Sequence, residues 1–247
     1  MAVMRITLAM ILGVLCWVFA LGGTPSYLYG KYPLSEGAFR ALPQRAQTEG
    51  IPLAVAEEGG GLSFVAAETE ADLLAGGPYL YLDGDFFLLG FEQDLNRAFL
   101  RGDAEGVELI FLGDLDTMHT FLDLLGKLGL LPLQGTVELE RREIPAKIPA
   151  PPQGVRLDPV LWGLLVHPDW FAFARDHGIE RVGLRVVVVA EVTGLLPEGY
   201  EQFIQSSSDG LVQLLLPIPL LDELAREDVV QSVRPPYKPQ PIAPVRP

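Results

Sequence analysis

Residues 144–152 hold four prolines in nine positions: Pro145, Pro149, Pro151 and Pro152. A proline donates no backbone N–H and fixes φ near −65°, so this density fits neither a helix interior nor a central strand. It stiffens into an extended spacer instead. The spacer divides a 247-residue chain into two parts, each of ordinary domain size. Apolar residues make up 49 %, enough for a packed core in each. The expected organisation is a targeting segment over residues 1–22, an N-terminal α+β domain over 23–143 and a linker over 144–153. A C-terminal α+β domain over 154–238 and a proline-rich tail over 239–247 follow.

The N-terminus follows the targeting order of basic, then apolar, then small residues. Arg5 precedes residues 6–21, which carry no charge. Sixteen helical residues reach about 24 Å, short of a hydrocarbon core of ~30 Å. That is the length of a signal-peptide apolar region, and Ala20 or Gly22 offers a small residue for cleavage. An uncleaved anchor is the alternative: no charge occurs from Ile6 to Gly30, and Trp17, Tyr27 and Tyr29 are candidate interfacial aromatics. Gly22, Gly23 and Pro25 oppose a helix of that length. The single cysteine, Cys16, lies inside the apolar run. Leu15 before it is too large for a lipoprotein signal. A processed chain therefore has no thiol, which excludes disulfides, thiolate nucleophiles and cysteine metal sites.

Beyond the N-terminus the pattern alternates. Residues 35–47 are amphipathic, with Ser35 placed to cap a helix. Residues 52–56 and 62–67 read as strands around Gly59, Gly60 and Gly61. Residues 78–82 and 86–91 read as a hairpin around Asp83, Gly84 and Asp85. Residues 92–100 suggest a helix and 107–112 a strand. Asp114 is placed to cap a helix running to Lys127, with Leu115, Met118, Leu122 and Leu125 on one face and Gly129 closing it. Residues 134–143 alternate as a strand.

In the second half, residues 159–176 form an aromatic-rich helical stretch. The β-branched run Val186 to Val189 points to a central strand within 183–193. A short helix over 198–205, a Ser206–Gly210 loop, a strand over 211–216, a helix over 219–226 and a strand over 229–233 follow. The order β-α-β-α-β suggests a ferredoxin-like, split βαβ sheet.

The charge balance is 18 Lys and Arg against 32 Asp and Glu, a net −14. Such a surface repels phosphate backbones and anionic lipid, so nucleic acid is excluded as a partner and membrane contact is confined to the N-terminal segment. Metal chemistry needs three or four converging ligands. Asp116 and His119 share a helix face near Asp114, but Asp114 is explained by capping, and His167 and His177 lie far away in sequence. Asp83 and Asp85 fit a turn as well as they fit a cation. Ser206, Ser207 and Ser208 beside Asp209 lack the Gly-x-Ser-x-Gly elbow. Glu57 with Glu58, and Glu138 with Glu140, are pairs that 32 acidic residues produce by chance. Gly59–Gly61 precedes neither a helix nor Lys-Ser/Thr, so it is no phosphate loop. No catalytic residue, metal ligand or cofactor is assigned.

One stretch resembles a known family. It comprises residues 211–217, with Val212, Leu214 and Pro217; residues 220–225, with Leu220, Leu221, Leu224 and Ala225; residues 229–233; and the exit Arg234-Pro235-Pro236. Together these resemble the propeptide-like module that precedes the protease domain in exported subtilisin-type serine proteases. The resemblance runs from Gly183 to Pro239 and covers about a quarter of the chain. The protease domain is not in this sequence, so no catalytic residue carries over. What the resemblance implies is an extracytoplasmic α+β module that binds another protein. The expected function is that of a non-catalytic exported or envelope-associated accessory protein. The alternatives are a membrane-anchored subunit of a secretion, pilus or division machine, and an extracytoplasmic hydrolase using acidic residues. A tail rich in proline suits docking, because its extended form is already restricted.

Overall fold

The computed structural model describes residues 3–7, 25–93, 95–103, 105–132 and 136–237. Most of the expected apolar targeting run, with Cys16, Ala20 and Gly22, lies outside the described residues, as does the proline tail from 238 onward. The chain is α+β and divides into two compact units. The first contains residues 1–147 together with 167–169 and 182–184. The second contains 148–166, 170–181 and everything from 185 onward.

The first unit is built on a nine-stranded sheet. In chain order its elements are β1 (Val3–Thr7), β2 (Ser26–Tyr32), helix α1 (Glu36–Thr48), β3 (Leu53–Ala56), β4 (Leu62–Val65), helix α2 (Glu70–Leu73), β5 (Gly77–Asp83), β6 (Phe86–Gln93), β7 (Asn96–Gly102), β8 (Val107–Leu112), helix α3 (Leu115–Leu128) and β9 (Thr136–Glu143). The strand order is β1-β9-β2-β8-β7-β6-β5-β3-β4. The pair β3 and β5 is parallel; the others are antiparallel.

One face of this sheet is the core. Leu28, Leu80, Leu89, Leu100, Leu109 and Leu139 meet Leu42 and Ala46 of α1 and Met118, Phe121, Leu125 and Leu128 of α3. Residues two apart on a strand share a face, and residues three to four apart on a helix do the same, so these spacings build one apolar layer. Ser35 caps α1 and Asp114 caps α3, each side chain accepting a backbone N–H three residues on. Gly129 ends α3 at φ +66°, and a Cβ there would sit 1.8 Å from Arg45 Nη1. That guanidinium donates to the Leu128 carbonyl at 2.6 Å, placing a cation at the negative end of the helix. At Gly90 a Cβ would lie 2.2 Å from the Tyr79 ring, so the aromatic packs directly on bare backbone.

Residues 92–100 are not a helix. They finish β6 and begin β7, which pair as a hairpin from Gln93↔Asn96 to Phe87↔Gly102. Arg97 and Ala98 tolerate a helix, but pairing on both sides decides: Phe99 joins β6 at Gly90 and β8 at Ile110. The buried face of α3 is also rotated slightly from expectation. Phe121 and Leu128 are fully buried beside Met118 and Leu125, while Leu115 and Leu122 are only partly covered.

The second unit holds helices α4 (Pro159–Val166) and α5 (Trp170–Asp176), β11 (Arg185–Val192), β12 (Ile204–Ser208), β13 (Leu211–Pro217), helix α6 (Leu221–Leu224) and β14 (Val230–Arg234). A two-residue strand, β10 (Arg181–Val182), precedes β11. The expected continuous helix over 159–176 is two helices, interrupted around Pro168, which cannot donate to a helical ladder. The expected helix over 198–205 is a 3₁₀ turn, Glu201–Phe203, followed directly by β12. The expected Ser206–Gly210 loop is also mostly strand. Ser206, Ser207 and Ser208 pair with β13, and only Asp209 (φ +49°) and Gly210 (φ +77°) form the turn.

Strand β11 lies between β13 and β14 and runs antiparallel to both. β12 lies outside β13, also antiparallel. Val186, Val188 and Ala190 on β11 are fully buried, as are Leu221 and Leu224 of α6. Arg156 Nη1 donates to the carbonyls of Glu227 and Val230 at 2.8 Å each, tying the entry of this unit to its last strand.

Candidate functional site

The most elaborate polar arrangement lies on the opposite face of the first sheet from its leucine core. Arg101 on β7 stands directly across from Glu108 on β8. Arg101 Nε donates to Glu108 Oε2 at 3.0 Å, and Tyr29 on β2 donates to Glu108 Oε1 at 2.8 Å. Arg101 Nη1 donates to the carbonyls of His167 (3.1 Å) and Pro168 (3.3 Å). The Arg142 guanidinium on β9 covers the Tyr29 ring at 3.4 Å. Next along β7, Arg97 pairs with Glu92 and with Asp169, the latter only 6 % exposed.

Electrostatics fix the protonation state of this cluster. Burial works against ionisation of Glu108, but the Arg101 charge and the Tyr29 and Arg101 hydrogen bonds win and hold its carboxyl below the usual range. Burial, then the Glu108 charge, pushes the Tyr29 hydroxyl up to about 12. Burial pulls the Arg101 guanidinium down, yet an arginine beside an ionised carboxylate stays charged. Near neutral pH the trio is a fixed cation, a fixed anion and a fixed donor. It can orient and rigidify strands. It offers no group poised to take or give a proton.

Of the residues singled out in the sequence, Tyr29 belongs to this cluster, the His167 carbonyl accepts from its Arg101 and Glu140 pairs with its Arg142; the others lie elsewhere and do not converge. Asp114 is used in capping: its carboxylate accepts from the Thr117 N–H at 2.8 Å and from Asn96 at 3.0 Å, and these bonds hold it below its ordinary range. Asp116 and His119 are on α3. The ring of His167 lies 2.7 Å from the Asp169 carbonyl, and that of His177 lies 3.0 Å from the Phe173 carbonyl and stacks on the Phe173 ring. Asp83 is buried at the end of β5, and Asp85 follows Gly84 in the hairpin turn. Glu57 accepts from Ser63 beside the Gly59–Gly61 turn. Glu138 and Glu140 lie on β9, and Glu140 pairs with Arg142. Ser206, Ser207 and Ser208 are exposed on β12. Among the described residues, no three side chains of His, Cys, Asp or Glu gather as metal ligands.

A second feature is an apolar pocket in the first unit. It is lined by Tyr32, Leu109, Phe111, Met118, Leu122 and Leu139 among others. Tyr32 turns its hydroxyl out of the pocket's chemistry by donating to the Leu130 carbonyl at 2.8 Å. Neither the pocket nor the Arg101 cluster was foreseen from the sequence. The cluster becomes readable once 92–100 is read as strand, because Arg101 and Glu108 then face each other across a short turn. Among the described residues, no helix is long and apolar enough to cross a membrane. No family profile, curated protein or solved structure matches the chain.

Proposed function

We propose that this chain is an exported, non-catalytic accessory protein that acts by binding another protein at or outside the cell envelope, and that its second sheet is a ferredoxin-like module. The observation that carries the export reading is Arg5 followed by sixteen uncharged residues, with Ala20 near their end and Gly22 and Gly23 directly after them. The binding reading is supported by how the charged groups are used. Arg101, Glu108 and Tyr29 satisfy one another, Asp169 is taken by Arg97, and Asp114 caps a helix. Each serves the fold, and an enzyme built on carboxylates needs two acids of separated pKa in one cleft.

Strand order supports the ferredoxin-like reading. Leaving aside the two-residue β10, which also lies beside β11 in this five-stranded sheet, the order β12-β13-β11-β14, antiparallel between neighbours, makes β11 and β12 one split pair and β13 and β14 another. The first connection carries a 3₁₀ turn where that fold has a helix; the second carries α6. The test is in-cell cross-linking of the processed protein in its native envelope, alongside turnover assays on peptides, glycans and esters. One specific cross-linked protein and no turnover are expected. Turnover abolished by a single Asp or Glu substitution would replace it with the hydrolase reading.

A further inference from the structure

The first sheet ends on one side with β1 covering β9, and β1 is drawn from residues that export processing removes. Five residues pair, from Val3↔Glu140 to Thr7↔Thr136, antiparallel and without interruption. On its other side β9 is held by β2, from Ser26↔Glu143 to Gly30↔Leu139. Resting on the export reading above, we propose that in the processed protein the bared edge of β9 receives an extended, basic strand of another protein, antiparallel, in the register that Val3–Thr7 occupies.

Three observations favour this edge. An edge strand presents unpaired N–H and C=O groups, and proteins normally blunt it by shortness, charged side chains, bulges or proline. β4, at the far side of the same sheet, is four residues long. β12 shifts register between Ile204 and Ser206, and β14 pairs with β11 across a shift at Glu191/Val192. β9 is eight residues long, contains no proline and pairs regularly on both sides; its only guard along the stretch that β1 covers is the acidic pair Glu138 and Glu140, which turns away acidic strands and not basic ones.

The register defines the ligand. Positions opposite Leu139 and Val137 are taken by Met4 and Ile6, and the position opposite Glu138 by Arg5. Leu139 is buried on the core face, whereas Glu138 is exposed. A matching strand therefore alternates apolar and polar residues and carries a basic residue opposite Glu138. The chain's net charge of −14 favours a cationic segment and disfavours a second copy of itself.

The test uses processed protein isolated from its host, its N-terminus sequenced first, and a fluorescent peptide of residues 2–8. Anisotropy should show saturable binding, with slowed amide exchange in β9. The same peptide N-methylated on alternate amides, or carrying Arg5→Glu, should bind at least tenfold more weakly. Unprocessed full-length chain should bind much less, because β1 already occupies the edge. No saturable binding to processed protein, indifference to N-methylation, or concentration-dependent self-association through β9 would overturn the proposal. Retention of Met1 on the isolated protein would instead overturn the export reading, and it is read from the sequencing step alone.

Discussion

Glu108→Ala and Arg101→Met should have unequal effects, and the inequality follows from burial. The Arg101 side chain is 6 % exposed, whereas that of Glu108 is 32 % exposed. Removing the carboxylate takes the anion from beside a buried guanidinium, which still donates to the His167 and Pro168 carbonyls, and leaves Tyr29 without the Glu108 acceptor. Stranding one member of a buried pair costs about 3–5 kcal/mol; partial solvent access puts this case near the lower end. Removing the arginine leaves Glu108 with the Tyr29 hydroxyl and a path to water, so the loss is about 1–2 kcal/mol. The double variant Arg101→Met/Glu108→Leu should regain most of the loss, since an apolar pair strands no charge. Because the chain has two units, whole-chain unfolding mixes them. Amide exchange in β7 and β8 isolates the effect, with Glu108→Ala expected to speed it roughly a hundredfold and Arg101→Met roughly tenfold. Equal effects of the two single variants, or a double variant as damaged as their sum, would refute the reasoning.

Other outcomes follow from the same structure. Because the Glu108 carboxyl is held below its unfolded value, its contribution is complete above pH ~4.3 and is lost as pH falls through the lower folded value. Urea midpoints measured across that acidic window should therefore fall more steeply for the natural protein than for the double variant. Asp114→Ala removes the cap of α3 and should cost about 1 kcal/mol, read as faster exchange in the first turn of that helix. Leu221→Ala empties a fully buried site of the second unit and should cost about 2–5 kcal/mol by denaturation; a loss below about 1 kcal/mol would remove α6 from the core and weaken the propeptide-like resemblance. Limited proteolysis should cut at Lys147, in the proline-rich run after β9, and spare Arg141 and Arg142 inside β9; cleavage at those two arginines would contradict the pairing of β9 with β2.

What was legible in the sequence was local. Ser35 and Asp114 announce helix starts because a short side-chain oxygen three residues before an amide caps it. Gly129 announces a helix end, and Asp83, Gly84 and Asp85 a hairpin turn, because each relies on backbone preferences within a few residues. The strand β11 was legible because four consecutive valines disfavour a helix. What failed needed partners distant in sequence. Residues 92–100 contain enough good helix formers to suggest a helix, and only pairing with β6 and β8 makes them strand. Ile204 to Ser208 has few apolar residues, and β13 makes it an edge strand. The Arg101 cluster draws on β2, β7, β8 and β9, so no window of sequence contains it. The histidines and acidic pairs were visible but uninformative, because the fold separates them.

Export and processing of this chain, as proposed above, are tested most directly by N-terminal sequencing of the protein isolated from its host's envelope and extracellular fractions. The expected first residue lies between Leu21 and Thr24. Intact Met1 in the membrane fraction would make the segment an anchor, and intact Met1 in the cytosolic fraction would contradict export.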